Sequence, residues 1–323
     1  MLLSVLIAAY NSETYIVDCL KSIVRQMEVY DFNDIELIVI DDGSNDKTLE
    51  RINSIDKEYC NIRVETQTNL GVTATRRRLL ELAQGKYICF VDSDDLVSDN
   101  YLPLIMKYIN GREFDILDFN LKRFNSEIEL NLLPEVSSKC QENYDCNLRQ
   151  AFMECKWHMC SRVFNANLIK ADMFSELMFF EDAAIVPYLY LSSNKLIRTN
   201  SCIYFYRNNL QGITKNYTKK HLCSWSLVAN KAIKFMNEGF INLTEEKKIY
   251  FYQYVHSVNK IYTKAVSRSK FYNNHKQVFI TIPTIKLIIK GILPKKDILL
   301  VCSPKIYSLL VRKKNEIRKT FNN

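Results

Sequence analysis

The chain has 323 residues, a length that accommodates one large domain or two ordinary ones. Apolar residues make up 47% and charged residues 25%, as in a soluble globular protein, and 7 Gly with 6 Pro exclude collagen-like and low-complexity chains. The net charge of +8 is unevenly placed. Residues 281–323 hold ten Lys and Arg against Asp297 and Glu316, so residues 1–280 balance to zero. A neutral body with a basic tail is not the pattern of a nucleic-acid binder, and no nucleic-acid partner is expected.

No run approaches the ~18 uninterrupted apolar residues of a membrane-crossing helix. The opening MLLSVLIAAYNSE has no basic lead and passes from an apolar run into a polar turn, which reads as a first strand rather than a secretion signal. The expectation is a cytoplasmic protein. Its 10 cysteines include no C-x-x-C pair and are expected as reduced thiols; the Cys155, His158, Cys160 spacing fits no standard zinc site.

In chain order, LLSVLIAA (2–9) is an all-apolar run typical of a strand covered on both faces. Ile16, Cys19, Leu20, Ile23 and Val24 then recur at helical spacing. IELIVI (35–40) is the second strand, residues 47–57 a helix, IRVE (62–65) a third strand, 72–83 a helix and KYICFV (86–91) a fourth strand. This alternation predicts a mostly parallel sheet with right-handed crossovers and helices on both faces. Beyond Gly111 the pattern loosens. FDILDFNLKRF (114–124) and IELNLL (128–133) read as further strands, 144–154, 165–172 and 181–191 as helices, and SCIYFYRNN (201–209) as a late strand. From Lys219 the chain reads mostly helical.

Parallel sheets bind ligands beyond the carboxyl ends of their strands. Three of those ends are polar: Ala9-Tyr10-Asn11, Asp41-Asp42-Gly43-Ser44 and Asp92-Ser93-Asp94-Asp95. Asp92-Ser93-Asp94 is a D-x-D, and two neighbouring carboxylates repel unless a cation relieves them. Their hard oxygens favour Mg2+ or Mn2+, which complete their shells with phosphate. An Asp at the second strand end can accept from a nucleobase or ribose, and Tyr10 offers a face for a base.

SVLIAAYNSETYIVDCLKSIVRQ, ELIVIDDGSNDKT, TNLGVTATRRR and GKYICFVDSDD together resemble the inverting glycosyltransferases of family 2, which have the GT-A fold, over roughly the first hundred residues. LMFFEDAAIVPYLYLSSNKL (177–196) and YFYRNNLQGIT (204–214) are similar to that family's acceptor-side Glu-Asp block and the segment after it. The resemblance implies an α/β fold: a Rossmann-like GT-A catalytic domain over residues 1–215, then a helical C-terminal region over 216–323. It implies transfer of a hexosyl or N-acetylhexosaminyl group from a nucleotide-sugar, UDP-sugar foremost, to a glycan or lipid-linked glycan acceptor, as in the synthesis of bacterial capsule, lipopolysaccharide or wall polymer. Tyr10 matches the residue that stacks on uracil and Asp41 or Asp42 the one that hydrogen-bonds it. Asn69 and Arg76 match the block that reaches the nucleotide and diphosphate, although Arg76-Arg77-Arg78 replaces the usual Arg-Asn and leaves three arginines to choose among. Ala8-Ala9 stands where the family often has proline before the Tyr-Asn turn, and Ala8 with Ser93 completes the donor-binding set. Asp94 and Asp92 match the ligands of Mn2+ or Mg2+, Asp182 the catalytic base with Glu181 beside it, and Arg207 a further cation near the diphosphate.

The competing reading is a nucleotidyltransferase or a nucleotide-sugar-binding module on the same type of sheet. A nucleotidyltransferase needs a Gly-rich, basic loop after the first strand, where this chain has Ala9-Tyr10-Asn11-Ser12-Glu13; catalytic turnover would exclude a binding module. The tail sets Ile, Leu, Val and Tyr against lysines at near-helical spacing, with Pro283, Pro294 and Pro304 between the pieces. Such basic amphipathic segments suit an anionic membrane surface, so residues 281–323 are expected to hold the protein peripherally on the inner face of the cytoplasmic membrane.

Overall fold

The computed structural model describes residues 1–59, 62–126, 140–141, 144–174, 179–209 and 218–268. The second strand read from sequence at 128–133 and the basic tail 281–323 lie outside the described residues. Contacts divide the described residues into two units, the first holding 1–148, 157–174 and 188–209, the second 149–156, 179–187 and 218–268.

The first unit opens with β1 (Leu3–Ala9), α1 (Ile16–Val29), β2 (Ile35–Asp41), α2 (Thr48–Tyr59), β3 (Ile62–Thr66), α3 (Val72–Leu82) and β4 (Tyr87–Asp92). Every apolar run read as a strand in this stretch is one. Val5, Ile7 and Ala9 of β1 pack with Ile16, Leu20 and Ile23 of α1, while α3 lies against β1 and β2 and buries Leu79. That double covering is why β1 shows no alternation of polar and apolar residues.

The order across the sheet is β3-β2-β1-β4, all parallel, continuing through β8 (Arg162–Asn165), β6 (Ile116–Phe124), β9 (Leu196–Arg207) and β5 (Leu96–Val97), with β7 (Cys140–Gln141) also on β9. The second half is mixed: β8 runs antiparallel to β4 and β6, β6 parallel to β9, and β5 antiparallel to β9. Since β1 lies between β2 and β4, the register sets Asp41 beside Ala9 and Asp92 beside Ala8. The two acidic strand ends therefore flank the end of β1.

Besides the two-residue strands β5 and β7, which went unread, two longer segments differ from the sequence reading. Residues 165–172, expected as helix, hold the end of β8, a turn and a 3-10 turn over Ala171–Phe174. Phe164 is held in register with both Ile88 and Ile116, and Asn165 closes an Asx turn on the Asn167 N–H at 2.9 Å, so sheet pairing overrides the helical spacing. Helix α4 (Tyr101–Gly111) went unread because YLPLIM is apolar at consecutive positions and shows no helical period.

The second unit holds most of α5 (Tyr144–Glu154), the start of α6 (Glu181–Ser192), and α7 (Lys219–Glu238) and α8 (Glu245–Arg268). Helix α7 buries Leu222, Trp225, Val228, Ala229 and Ala232, a stripe at helical spacing, and packs on α8, whose Phe251, Tyr254, Val255 and Val258 are buried. No helix among the described residues is long and apolar enough to cross a membrane.

Candidate functional site

Asp41 and Asp42 at the end of β2 are both buried, but their carboxylates are used differently. Asp42 accepts from Gln67 Nε2 at 2.7 Å and from the backbone N–H groups of Leu70 at 2.9 Å and Gly71 at 2.8 Å. It holds the loop between β3 and α3, which carries the exposed Asn69. Asp41 accepts from the Ser44 N–H through Oδ2 at 3.2 Å, while its Oδ1 is buried with no hydrogen-bond partner among the described residues. A buried anionic oxygen without a donor is costly, and so marks a place for a ligand donor. Gly43 is needed between the two loops: its φ is +70°, and a Cβ there would come within 2.8 Å of the Asn69 nitrogen.

Next to this pair the β1 loop turns through Asn11, with φ +47°. The Asn11 N–H donates to Ser44 Oγ and the Asn45 N–H to Asn11 Oδ1, each at 2.9 Å, tying the first two loops together. Tyr10 is 45% exposed, a large open aromatic face one residue beyond the Ala9–Asp41 register pair.

On the other side of β1, Asp92-Ser93-Asp94-Asp95 makes a turn closed by the Asp95 N–H donating to the Asp92 carbonyl at 3.0 Å. Ser93 Oγ shares a 2.7 Å hydrogen bond with Ser12 Oγ. Arg76 Nη2 meets Asp92 Oδ1 at 2.6 Å, with its guanidinium 5.7 Å from the centre of the Phe90 ring. The three consecutive arginines of α3 point to different partners. Arg77 pairs along its own helix with Glu81, Arg78 reaches back to Glu65, and Arg76 alone of the three reaches the acidic turn. Burial, and then the charge of Asp92, pushes the Asp94 carboxyl above the usual carboxylate range.

The end of β9 grips this turn. Tyr204 donates to Asp95 Oδ2 at 2.7 Å and accepts from the Asp92 N–H at 3.0 Å. The Arg207 N–H donates to Asp95 Oδ1 at 2.7 Å, Arg207 Nε to the Asp94 carbonyl at 2.8 Å, and Asn209 Nδ2 to Asp94 Oδ2 at 3.0 Å. The Arg207 guanidinium lies between the rings of Tyr15 and Phe124, 4.7 and 4.6 Å from their centres. Asp95 is fully buried, and burial together with the charges of Asp92 and Asp94 pushes its carboxyl up to about 9. Cys160 Sγ and carboxylate oxygens of Asp92 and Asp95 lie within 4.8 Å of one another.

Sequence reasoning missed Asp95, Tyr204 and Cys160. Asp95 ends the acidic run after β4 and Tyr204 lies within YFYRNN, but a sequence does not show which way either side chain points. Asp92 and Asp94 fit a divalent cation by donor type: both offer half-buried hard oxygens on one turn.

Glu181 and Asp182 open α6 and belong to the second unit. Glu181 is the buried one; Asp182 is half-exposed, and its Oδ1 accepts from the Ala183 N–H at 2.6 Å. The remaining site residues read from sequence, Ala8, Tyr10, Asp41, Asp42, Asn69, Arg76, Asp92, Ser93, Asp94 and Arg207, all lie in the first unit.

A helix-flanked mixed sheet with an acidic turn beyond its central parallel strands is the GT-A architecture of glycosyltransferases. Residues 4–177 match Glycosyl transferase family 2, and the chain belongs to that family. Glycosyltransferase GlyG of Streptococcus pneumoniae serotype 4 is 28% identical over 271 residues, covering 76% of this chain and 88% of GlyG. Among solved structures, S. aureus TarS is similar at a TM-score of 0.65 and 21% identity, over 100% of this chain and 92% of that one; TarS has also been solved in complex with UDP-GlcNAc. The mannosyltransferase PcManGT from Pyrobaculum calidifontis, in complex with GDP-Man and Mn2+, is similar at a TM-score of 0.53 and 13% identity, over 96% of this chain and 83% of that one.

Proposed function

We propose that this glycosyltransferase moves a hexosyl or N-acetylhexosaminyl group from a UDP-sugar to a hydroxyl of a glycan or lipid-linked glycan, in building a bacterial surface polysaccharide, by a single displacement that inverts the anomeric centre. The observation that carries the reading is the buried, unpartnered Oδ1 of Asp41 at one flank of β1, with the acidic turn at the other. Asp41 accepts from the imide N–H of uracil, and Tyr10 stacks on the ring. Asp42 does not touch the base; it shapes the loop bearing Asn69. Asp92 and Asp94 would hold Mn2+ or Mg2+, whose charge would offset that of the diphosphate. Arg76 fixes the Asp92 carboxylate, Ala8 lies in register with Asp92, Ser93 is held in the same turn by Ser12, and Arg207 buttresses the Asp94 backbone while adding fixed positive charge. Asp182 takes the proton of the acceptor hydroxyl; its partial exposure suits an incoming hydroxyl better than the burial of Glu181. The catalytic domain of residues 1–215 and the helical region of 216–323 remain part of this reading, with the basic tail holding the enzyme at an anionic membrane where a lipid-linked acceptor resides.

The reading is supported by the likeness to a poly(ribitol-phosphate) beta-glucosyltransferase of Bacillus spizizenii, 36% identical over 127 residues (39% of this chain, 20% of that protein), and by the UDP-GlcNAc complex of TarS. It is tested by nucleotide release in the presence of Mn2+ over UDP-, dTDP- and GDP-sugars. UDP-sugars should be the substrates, and Asp182→Asn should lower the rate about 10²–10⁴-fold with UDP affinity kept. Release from GDP-sugars alone, retention of configuration, or an unchanged rate in Asp182→Asn would each overturn its part of the mechanism.

A further inference from the structure

Helix α6 starts from a strained residue. Phe180 has φ +64°, in the left-handed region that an aromatic side chain avoids, and its carbonyl accepts the Ala184 N–H at 3.2 Å, so this residue aims the turn carrying Glu181 and Asp182. Such strain persists only where surrounding contacts over-determine the backbone. Those contacts come from α7 and α8. The Phe180 ring stacks on Trp225, with centres 4.5 Å apart and planes 25° apart, and Phe179 stacks on His221 at 4.2 Å and 5°. His221 and Trp225 are four residues apart and so share one face of α7. Thr218 fixes the histidine in turn: its N–H donates to His221 Nδ1 at 3.1 Å, and its hydroxyl lies 2.7 Å from the same atom. From α8, the buried Tyr254 hydroxyl donates to the Ala183 carbonyl at 2.8 Å. The Trp225 Nε1–H is buried with no hydrogen-bond partner among the described residues, so ring packing rather than hydrogen bonding sets the indole's place. A strained backbone and an unpartnered indole N–H, two costs, fall side by side just ahead of the acid pair.

We propose that Trp225, His221 and Tyr254 are positioning residues: the C-terminal helices clamp the Phe179-Phe180 corner and thereby hold Asp182 in its working orientation. The inference rests on the reading of Asp182 as the base. It makes the region after residue 218 a part of the catalytic apparatus rather than an appendage.

The test uses the full chain with Trp225→Ala, Trp225→Phe and Tyr254→Phe. Three quantities are measured: hydrogen exchange at the amides of residues 181–184, kcat for UDP release from UDP-N-acetylglucosamine and UDP-glucose, and calorimetric affinity for UDP. Trp225→Ala should speed exchange at these amides tenfold or more and lower kcat tenfold or more, with UDP affinity within twofold of the parent. Trp225→Phe, which keeps a stacking ring, should restore both readouts to within about threefold. If Trp225→Ala does not fold, Tyr254→Phe decides on the same readouts, with a drop in kcat and faster exchange expected. Exchange within twofold of the parent overturns the clamp whatever the turnover. A fall in UDP affinity as large as the fall in kcat overturns it too, because it would report general damage. A parental rate in Asp182→Asn would instead refute the base assignment, a different result from failure of the clamp.

Discussion

Tyr204 donates its hydroxyl hydrogen to Oδ2 of Asp95 across 2.7 Å, and the Tyr204 hydroxyl oxygen accepts the backbone N–H of Asp92 at 3.0 Å. One tyrosine on β9 thus closes the acidic turn of β4 from beneath, over 109 residues of sequence. Tyr204→Phe leaves a buried carboxyl oxygen and a backbone N–H without partners, which should destabilise the protein by about 1–3 kcal/mol. Urea unfolding measures this. The altered turn should also weaken Mn2+-dependent UDP binding. Unchanged stability and unchanged binding would show that the hydroxyl does not hold the turn.

The two adjacent aspartates of β2 should separate cleanly. Asp41→Asn removes an anionic acceptor that makes one hydrogen bond within the protein, so UDP affinity should fall about 10–100-fold, the worth of a charge-assisted hydrogen bond, with stability kept. Asp42→Ala removes the acceptor of three hydrogen bonds and should cost at least about 2 kcal/mol of stability. Differential scanning calorimetry with and without UDP checks both. The opposite pattern would reassign the base contact to Asp42.

The three consecutive arginines of α3 give a graded series. Arg76→Ala strips Asp92 of its counter-ion in a pair whose arginine side chain is only 10% exposed, and should lower stability by about 1–3 kcal/mol and weaken metal-dependent UDP binding at least tenfold. Arg77→Ala should change turnover less than twofold, because its partner Glu81 is a half-exposed neighbour on the same helix. Arg78→Ala should perturb the β3 end without altering metal dependence. Equal losses in all three variants would contradict the placement.

The site was legible to the extent that strand ends are legible. The doubly covered apolar runs marked β1, β2 and β4, and whatever polar residue followed each run had to lie at the carboxyl edge of the sheet. That reasoning reaches Tyr10, Asp41, Asp92 and Asp94 but cannot assign hydrogen bonds, so Asp41 and Asp42 looked equivalent until the Leu70 and Gly71 N–H groups were seen on Asp42. The mixed half of the sheet was harder. Strand β8 is short and wedged between β4 and β6, and pairing partners far along the chain determine it rather than any local period. Tyr204 and Asp95 meet only because β9 returns beside the acidic turn, a relation no spacing rule contains.

Thiol ionisation offers a test of the core. Cys19, Cys89 and Cys160 are buried, and burial pushes all three thiols up, Cys89 to about 12; Cys155, half-buried, is pushed to about 11. The folded state then keeps these protons to higher pH than the unfolded state. Their contribution is fully present below the ordinary thiol value and is lost as pH rises through the folded values, so stability should fall from about pH 9 towards pH 12. In iodoacetamide labelling followed by peptide mapping, the exposed Cys146 and Cys223 should react well before Cys19, Cys89 and Cys160. Labelling of Cys89 as fast as Cys223 would contradict the packing of β4.

The central claim is a metal-dependent nucleotide site built around the end of β1, and calorimetric titration of UDP tests it most directly. The parent should bind UDP in Mn2+ and lose most of that affinity in EDTA. Asp94→Ala should bind at least tenfold more weakly in Mn2+ and show no further loss in EDTA. Asp41→Asn should bind about 10–100-fold more weakly in either condition, and Asp182→Asn should match the parent. UDP affinity that is the same in Mn2+ and EDTA, or that survives both Asp41→Asn and Asp94→Ala, would contradict the account.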